Sequence, residues 1–415
     1  MLDPCQLLLV VCLAPAALGQ TAVISVTASG PSSSFTNPQT GTIASPVSTA
    51  TGGPDIRVDL PTSLLGETPS GILTTTRSSW VPAVTSAPEP ASTQPCNLYV
   101  EFCNRRYSDI TYVGAHNSPF VKEYSLAANQ NLDVKAQLND GIRMLQGQAH
   151  KLNGTIHYCH TSCDLLNAGP VEVYLKTVVG WLRDNPFEVV TVLIGNGGFL
   201  NVRDYSEPLE KSGLAELAYI PKERNIKIDQ WPTLSEMIQT AGKRAVVFMD
   251  YKADEGTIPY ILDEFKYMWE TPFSQTDENF PCTIDRPSDQ PKNDTQGKLY
   301  MANHNLNTEF SIAGKRILIP NTVDLEETNG VSGFGSLGLM ANTCRADWDR
   351  YPNFLLVDFY DVPDGAVFEV AARANNVSQG GGCCGKKKSI ASPLMKATDL
   401  LLLLPTLAIL ISTFF

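Results

Sequence analysis

Val189–Ile194 reads VVTVLI and Arg244–Asp250 reads RAVVFMD. A strand with one wet face alternates apolar and polar residues, whereas these runs are apolar nearly throughout. They predict strands covered on both faces, as in a parallel sheet wrapped by helices. Working outward, Ile110–Ala115, Ile142–Gln148, Thr155–Tyr158, Lys298–Ala302 and Phe354–Tyr360 also predict strands. Helical spacing is present at Leu126–Leu138, Val171–Arg183, Leu234–Ala241, Ile261–Trp269 and Val367–Ala374. Pro170 after Gly169, and Trp-Pro-Thr at Trp231–Thr233, mark two of the helix starts. Alternating strands and helices define the α/β class, and about 280 residues from Cys96 to Asn376 suit a TIM-type (β/α) barrel, regular or irregular. A doubly wound open sheet is the alternative; neither GxGxxG nor GxxxxGK[ST] follows the first strand, so its usual phosphate-binding signatures are missing.

The segments on either side have other compositions. Met1–Gly19 carries an apolar run from Leu7 to Leu18 and small Ala17 and Gly19 before the cut, which predicts a secretory signal peptide over 1–19. Residues 20–95 are rich in Ser, Thr, Pro, Ala and Gly with six charged residues, which predicts a disordered stalk of the O-glycosylated kind. At the other end Leu400–Phe415 is an apolar run of sixteen residues, about 24 Å as a helix and shorter than the ~30 Å hydrocarbon core. Ser389 and Ala391, a polar spacer from Ser392 to Asp399 and that tail fit a GPI-attachment signal with Ser389 as the attachment residue. Residues 377–389, with GGGCCGKKK at their centre, then form a tether, and 390–415 a removed propeptide. A conventional tail anchor is the alternative.

These ends set the compartment: secreted, at the cell surface or in the wall, and joined to the membrane through lipid. There cysteines are read as disulfides. Short separations favour Cys96 with Cys103 and Cys159 with Cys163, leaving Cys282 for Cys344, although spacing alone leaves the connectivity open. Asn153, Asn293 and Asn376 begin glycosylation sequons. The chain carries a net charge of −12 with a pI near 4.9, the wrong sign for a nucleic-acid partner.

In an α/β barrel the active site lies at the C-terminal ends of the strands. The first strand exits at His116 and Asn117. The second exits through Gln146, Gln148 and His150, and its return piece brings His157 and His160. Later exits present Asn196, Asp250, His304, Asp358 and Asp361. Histidine exchanges protons near neutral pH, so two facing each other across a rim suit acid–base chemistry. His150, His157 and His304 read better as satisfied structural residues; His116 and His160 stand out for their surroundings.

Those surroundings resemble a known family, the X-domain of phosphatidylinositol-specific phospholipases C, the PLC-like phosphodiesterase barrel. GAHNSP (114–119) is similar to its first catalytic-histidine motif, LNDGIRMLQGQ (138–148) to its second strand, and IHYCHT (156–161) to the strand with its second catalytic histidine. VVTVLIGN and FLLVDFYD are similar to two later strands, and the stalk and anchor signal resemble a secreted fungal branch. The resemblance implies His116 as the base that takes a proton from the inositol 2-hydroxyl and His160 as the acid that protonates the leaving diacylglycerol oxygen. Asp358, on the last strand beside the first, is placed to orient His116, with Asp361 its rival. Asn117, Gln146, Gln148, Asn196 and Asp250 are the expected substrate contacts.

The departures lie among those contacts. Animal members bind calcium through the Asn of the first motif and three carboxylates; here the other positions are Gln146, Gln148 and Gly195, which lack the anionic oxygens calcium favours. Bacterial members use an arginine where this chain has Gln148, an uncharged donor. No metal or other cofactor is therefore expected, and Lys252 and Arg345 are the candidates for the missing charge. Two readings follow: a metal-independent phosphodiesterase or lyase acting on inositol phospholipid, GPI-type glycolipid or a related phosphodiester, or a catalytically degenerate barrel that binds or supports at the surface.

Overall fold

A computed structural model describes residues 94–121, 125–312, 315–380 and 383–384. The expected signal peptide, nearly all of the stalk, Ser389 and the expected propeptide lie outside the described residues.

Twelve strands are described: β1 Tyr112–Ala115, β2 Met144–Leu152, β3 Thr155–Cys159, β4 Asn167–Pro170, β5 Val190–Gly195, β6 Ala245–Met249, β7 Leu262–Asp263, β8 Met268–Glu270, β9 Leu299–His304, β10 Asn307–Ile312, β11 Lys315–Pro320 and β12 Phe354–Val357. Eight form one curled sheet in the order β7-β6-β5-β2-β1-β12-β9-β8, and every neighbouring pair is parallel. Except for β7 and β8, each strand thus pairs with the next of the eight in chain order, and the last returns to the first, Tyr112 opposite Phe354 and Ala115 opposite Val357. That is the topology of a TIM-type barrel. It is irregular at one seam: among the described residues no ladder joins β7 to β8, and the single helical turn Glu264–Tyr267 bridges them.

Side chains alternate across this wall as the pleat requires. Val113, Ala115, Val190, Val192, Ile194, Val247, Leu355 and Val357 pack outward with Leu175, Val178 and Leu182 of the helix Val171–Asp184 and Val367 of the helix Ala366–Ala374. Tyr112, Met144, Leu193, Val246, Phe248, Met268, Met301, Phe354 and Leu356 pack with Tyr107 and Trp231 in a second cluster, which fills the barrel interior. Gly114 faces that interior, where an added Cβ would lie 3.1 Å from Leu356 Cδ1 and 3.2 Å from Met144 Cβ.

Several elements differ from expectation. Ile261–Trp269 is not one helix but all of β7, a helical turn and the start of β8. The helix expected at Leu126–Leu138 begins only at Val134, where Asp133 caps it by accepting from Ala136 N at 2.9 Å. Glu236–Thr240 is a short piece behind a capping box between Thr233 and Glu236. The helices Arg203–Ser212 and Leu337–Trp348 and the antiparallel hairpin β10–β11 were not expected.

Disulfides join Cys96 to Cys103, Cys159 to Cys163 and Cys282 to Cys344, as the separations favoured, and Cys383 to its neighbour Cys384. The three sequon asparagines, Asn153, Asn293 and Asn376, are all exposed.

Candidate active site

β1 ends at Ala115, and His116 follows with its backbone N–H on Val357 O at 2.9 Å. Gln130 ties the closing pair of strands together, its amide donating to His116 O at 2.7 Å and to Val357 O at 3.2 Å. His116 Nδ1 lies 2.7 Å from Asp358 Oδ1, and Asn129 Nδ2 donates to the same oxygen at 3.0 Å. The Asp358 side chain is 4% exposed and that of His116 18%. An ionised carboxylate only accepts, so Nδ1 carries the proton and Nε2 keeps its lone pair for the cleft that His116 lines. Asp361 instead accepts from Asn131 Nδ2 at 3.2 and 3.1 Å. Of the two rivals, the structure pairs His116 with Asp358.

β2 runs past the barrel rim, and β3 returns against it with Ala149 opposite Tyr158 and His150 opposite His157. His160 follows this hairpin, whose strands pack closely: a Cβ at Gly147 would strike Pro119 at 2.9 Å and Tyr158 at 3.0 Å. The Cys159–Cys163 disulfide brackets His160, and Thr161 N donates to Gln148 Oε1 at 3.2 Å. Phe120 meets the His160 ring edge-on at 5.2 Å between centroids. Burial, then the neighbouring His116, lower the His160 pKa to about 4, opposed by the more distant charge of Asp358. Its Nδ1 has the Thr161 hydroxyl at 3.2 Å, and among the described residues no carboxylate bonds to it.

The remaining expected contacts divide. Gln146 and Gln148 line the cleft, with Gln146 Oε1 accepting from Asn117 N at 2.8 Å. Asn117 is buried at a φ of 47°, and its Oδ1 has no hydrogen-bond partner. Asp250 lines the cleft too, holding the backbone N–H groups of Asn196 and Tyr251 on Oδ1 at 2.6 and 2.8 Å. Asn196 does not join them. It is fully buried, its amide donating to Leu200 O and Tyr251 O while its carbonyl accepts from Leu200 N and Tyr205 OH. Asn196 is therefore a loop staple, a correction to its expected place among the substrate contacts.

His304 is a core residue, fully buried with Nε2 donating to Thr328 O at 2.7 Å. His157 faces Asn167 at 3.1 Å, away from the cleft, while His150 lines its wall. The expected cationic candidates fail. Lys252 is exposed and is not among the cleft residues, and Arg345 lies over Tyr351 in a separate cleft shared with Ser108 and Asn375, before β1 and after the last helix.

The cleft holds about 480 Å³ over Leu193, Met301 and Leu356 of the barrel interior. Its far wall contains residues that the sequence reading missed. Arg286, from the segment between β8 and β9, grips Glu270 with Nε at 3.0 Å and Nη2 at 2.8 Å to both oxygens. Tyr251, Phe273, Ser274, Asn303 and Asn305 complete the wall. The polar run Asn129-Gln130-Asn131 was a turn signal open to view in the sequence; Arg286 had none, because its place depends on Glu270 sixteen residues earlier in chain order.

The residues at the family's calcium positions do not fit that ion. Gln146 Oε1 is already taken by a backbone donor, Gln148 is neutral, and a Cβ on Gly195 would press to 3.3 Å on Gln148 Cα. Among the described residues no three His, Cys, Asp or Glu side chains are grouped to hold a metal.

Fold and site together define an α/β barrel with a carboxylate-oriented histidine in a cleft at the C-terminal strand ends and a second histidine close by, which is itself not among the residues lining that cleft. The PI-PLC X 1 family model matches residues 102–375, and the chain belongs to that family of PI-PLC X domain proteins. It is 60% identical over 307 residues to an "uncharacterized secreted protein" of Arthroderma benhamiae, across 74% of this chain and 69% of that one. "PI-PLC X domain-containing protein 1" of the same organism is 44% identical over 285 residues, 68% of this chain and 90% of that one. Among solved structures, a phosphatidylinositol-specific phospholipase C from Listeria monocytogenes gives a TM-score of 0.43 at 12% identity, covering 66% of this chain and 95% of that chain.

Proposed function

We propose that this protein is a secreted, surface-anchored phosphodiesterase that cleaves inositol phospholipid, GPI-type glycolipid or a related phosphodiester without a metal. The observation that carries it is the 2.7 Å pair of His116 and Asp358 at the cleft, with His160 near enough for His116 to lower its pKa. His116 Nε2 takes the proton of a substrate hydroxyl as its oxygen bonds to phosphorus. The bond from phosphorus to the lipid oxygen breaks, and His160 protonates that oxygen, leaving a cyclic phosphate. Two exposed aromatic side chains at the rim support a lipid partner: Phe199, which packs on Tyr251 at 5.0 Å, and Phe273. The secreted Arthroderma relative supports the compartment.

Phosphorus NMR of a phosphatidylinositol and GPI panel should show a cyclic phosphate, and the rate should be the same in EDTA. Loss of activity on chelation with recovery on calcium would overturn the metal-free mechanism. For the anchor, mass spectrometry of the surface-released protein should find a modified C-terminus near Ser389; an intact Leu400–Phe415 would refute lipid attachment.

A second reading has its own support. His160 sits near a pKa of 4 without a carboxylate partner, and Gln148 carries no charge, as in a barrel that binds its ligand and does not turn it over. A panel in which nothing reacts, with binding retained, would favour it.

A further inference from the structure

A phosphodiester in flight carries negative charge on its equatorial oxygens, and neither charge by which the family resemblance would meet it is present at its own position. Gln148 is neutral, and calcium lacks its donors. The cleft nevertheless contains one guanidinium. Among its described lining residues Arg286 is the single Arg or Lys.

Arg286 is held by one edge. Nε and Nη2 are bound to the Glu270 carboxylate, while the face of the guanidinium lies 4.7 Å from the Phe273 ring. Nη1 has only long contacts, 3.4 Å to the Tyr251 hydroxyl and 4.0 Å to Asp250 Oδ2. A fork clamped on one side is an oriented donor on the other.

Glu270 does not simply cancel the charge. It is fully buried, accepts from Asn303 Nδ2 at 3.0 Å, and neighbours Glu264, which is also fully buried. Burial and then the Glu270 charge push the Glu264 pKa well up, which favours its neutral form, and neither of its oxygens has a hydrogen-bond partner. The Glu270 charge is thus spread toward an amide donor as well as toward Arg286, beside a second carboxyl group whose neutral form burial favours. This weakens its hold on Arg286 relative to an isolated carboxylate.

We propose that Arg286, reaching in from the β8–β9 segment, is the catalytic cation that contacts the phosphoryl oxygens through Nη1, in place of the charge missing at Gln148. The proposal rests on the phosphodiesterase reading for its kinetic part and on phosphate binding alone for the rest. Its role is electrostatic, and no bond to Arg286 forms or breaks.

The test compares wild type, Glu270→Gln/Arg286→Gln, that pair with Gln148→Arg added, and Glu270→Gln alone. The double variant replaces the ion pair by two amides and leaves no buried carboxylate without its arginine. It is expected to lose about 10²–10³-fold in kcat, as loss of a transition-state donor does. Gln148→Arg on that background should restore at least about tenfold, which a merely structural role for Arg286 would not produce. By calorimetry, inorganic phosphate should bind the double variant about tenfold more weakly than wild type, and Glu270→Gln, which frees the guanidinium, should bind it more tightly. Unchanged kcat, a raised KM with kcat intact, or phosphate affinity indifferent to all the variants would overturn the proposal. If wild type turns over nothing, the phosphodiesterase reading fails and the calorimetry still decides on Arg286. Should the double variant not fold, Glu270→Gln decides through the direction of its phosphate affinity.

Discussion

Alanine at position 116 is expected to lower kcat/KM on a phosphatidylinositol substrate by about 10²–10⁴-fold, the span of one general base. The imidazole is mostly covered and not part of the apolar core, so the folded state should persist with an unchanged circular dichroism spectrum. Asp358→Asn is the sharper variant. It keeps the volume of the side chain but places an N–H₂ where Asp358 Oδ1 now lies 2.7 Å from His116 Nδ1. An amide donor there favours the tautomer with its proton on Nε2, where the base needs a lone pair; loss of the orienting carboxylate costs up to about 10⁴-fold in a serine-protease triad. Asp361→Asn should stay close to wild type, because Asp361 accepts from Asn131 and does not reach the histidine. A wild-type rate from Asp358→Asn would remove His116 from its assigned role, since the geometry leaves that imidazole no other carboxylate.

How far the sequence carried the argument depends on which force places each residue. β5 and β6 were legible because a strand covered on both faces must be apolar throughout, whatever its neighbours are. His116 and Asp358 were legible because each follows a parallel strand whose exit fixes which side chain comes next, whereas His160 follows a strand antiparallel to β2 and was picked out by its motif alone. The stretch Ile261–Trp269 misled because two short strands around a helical turn place apolar residues at spacings close to those of one helix. Asn196 misled in another way: it does stand at a strand exit, but the loop after β5 folds back and takes all of its hydrogen-bonding groups. Arg286 was hidden because the segment from 274 to 297 has no periodicity, and what pulls its guanidinium into the cleft is a pair of buried carboxyl groups at the β7–β8 seam. Such a long-range electrostatic placement leaves no local pattern.

The second large effect concerns His160 and is expected to depend on pH. Burial beside His116 lowers its pKa to about 4, so in the free protein it is neutral at pH 7. Each unit of acidification between 7 and 5 raises its protonated fraction about tenfold, and with it the supply of the proton that the leaving oxygen needs. His160→Ala should cost about 10²–10⁴-fold in kcat/KM. The loss ought to shrink sharply on a nitrophenyl phosphodiester, whose leaving oxygen needs no proton; an equal loss on both substrates would mean that His160 positions the substrate and does not protonate it. Stability runs the other way. The folded-state pKa values of His160 and His304, each pushed by burial to about 4, lie below the ordinary 6.5. Their contribution is complete above pH 6.5 and is withdrawn as the pH falls from there toward 4. Protonation of His160 therefore favours acid while the fold resists it. A rate that rose steadily from pH 5 to pH 8 would contradict the assignment of His160 as the acid, because over that range the proton it must deliver is being lost.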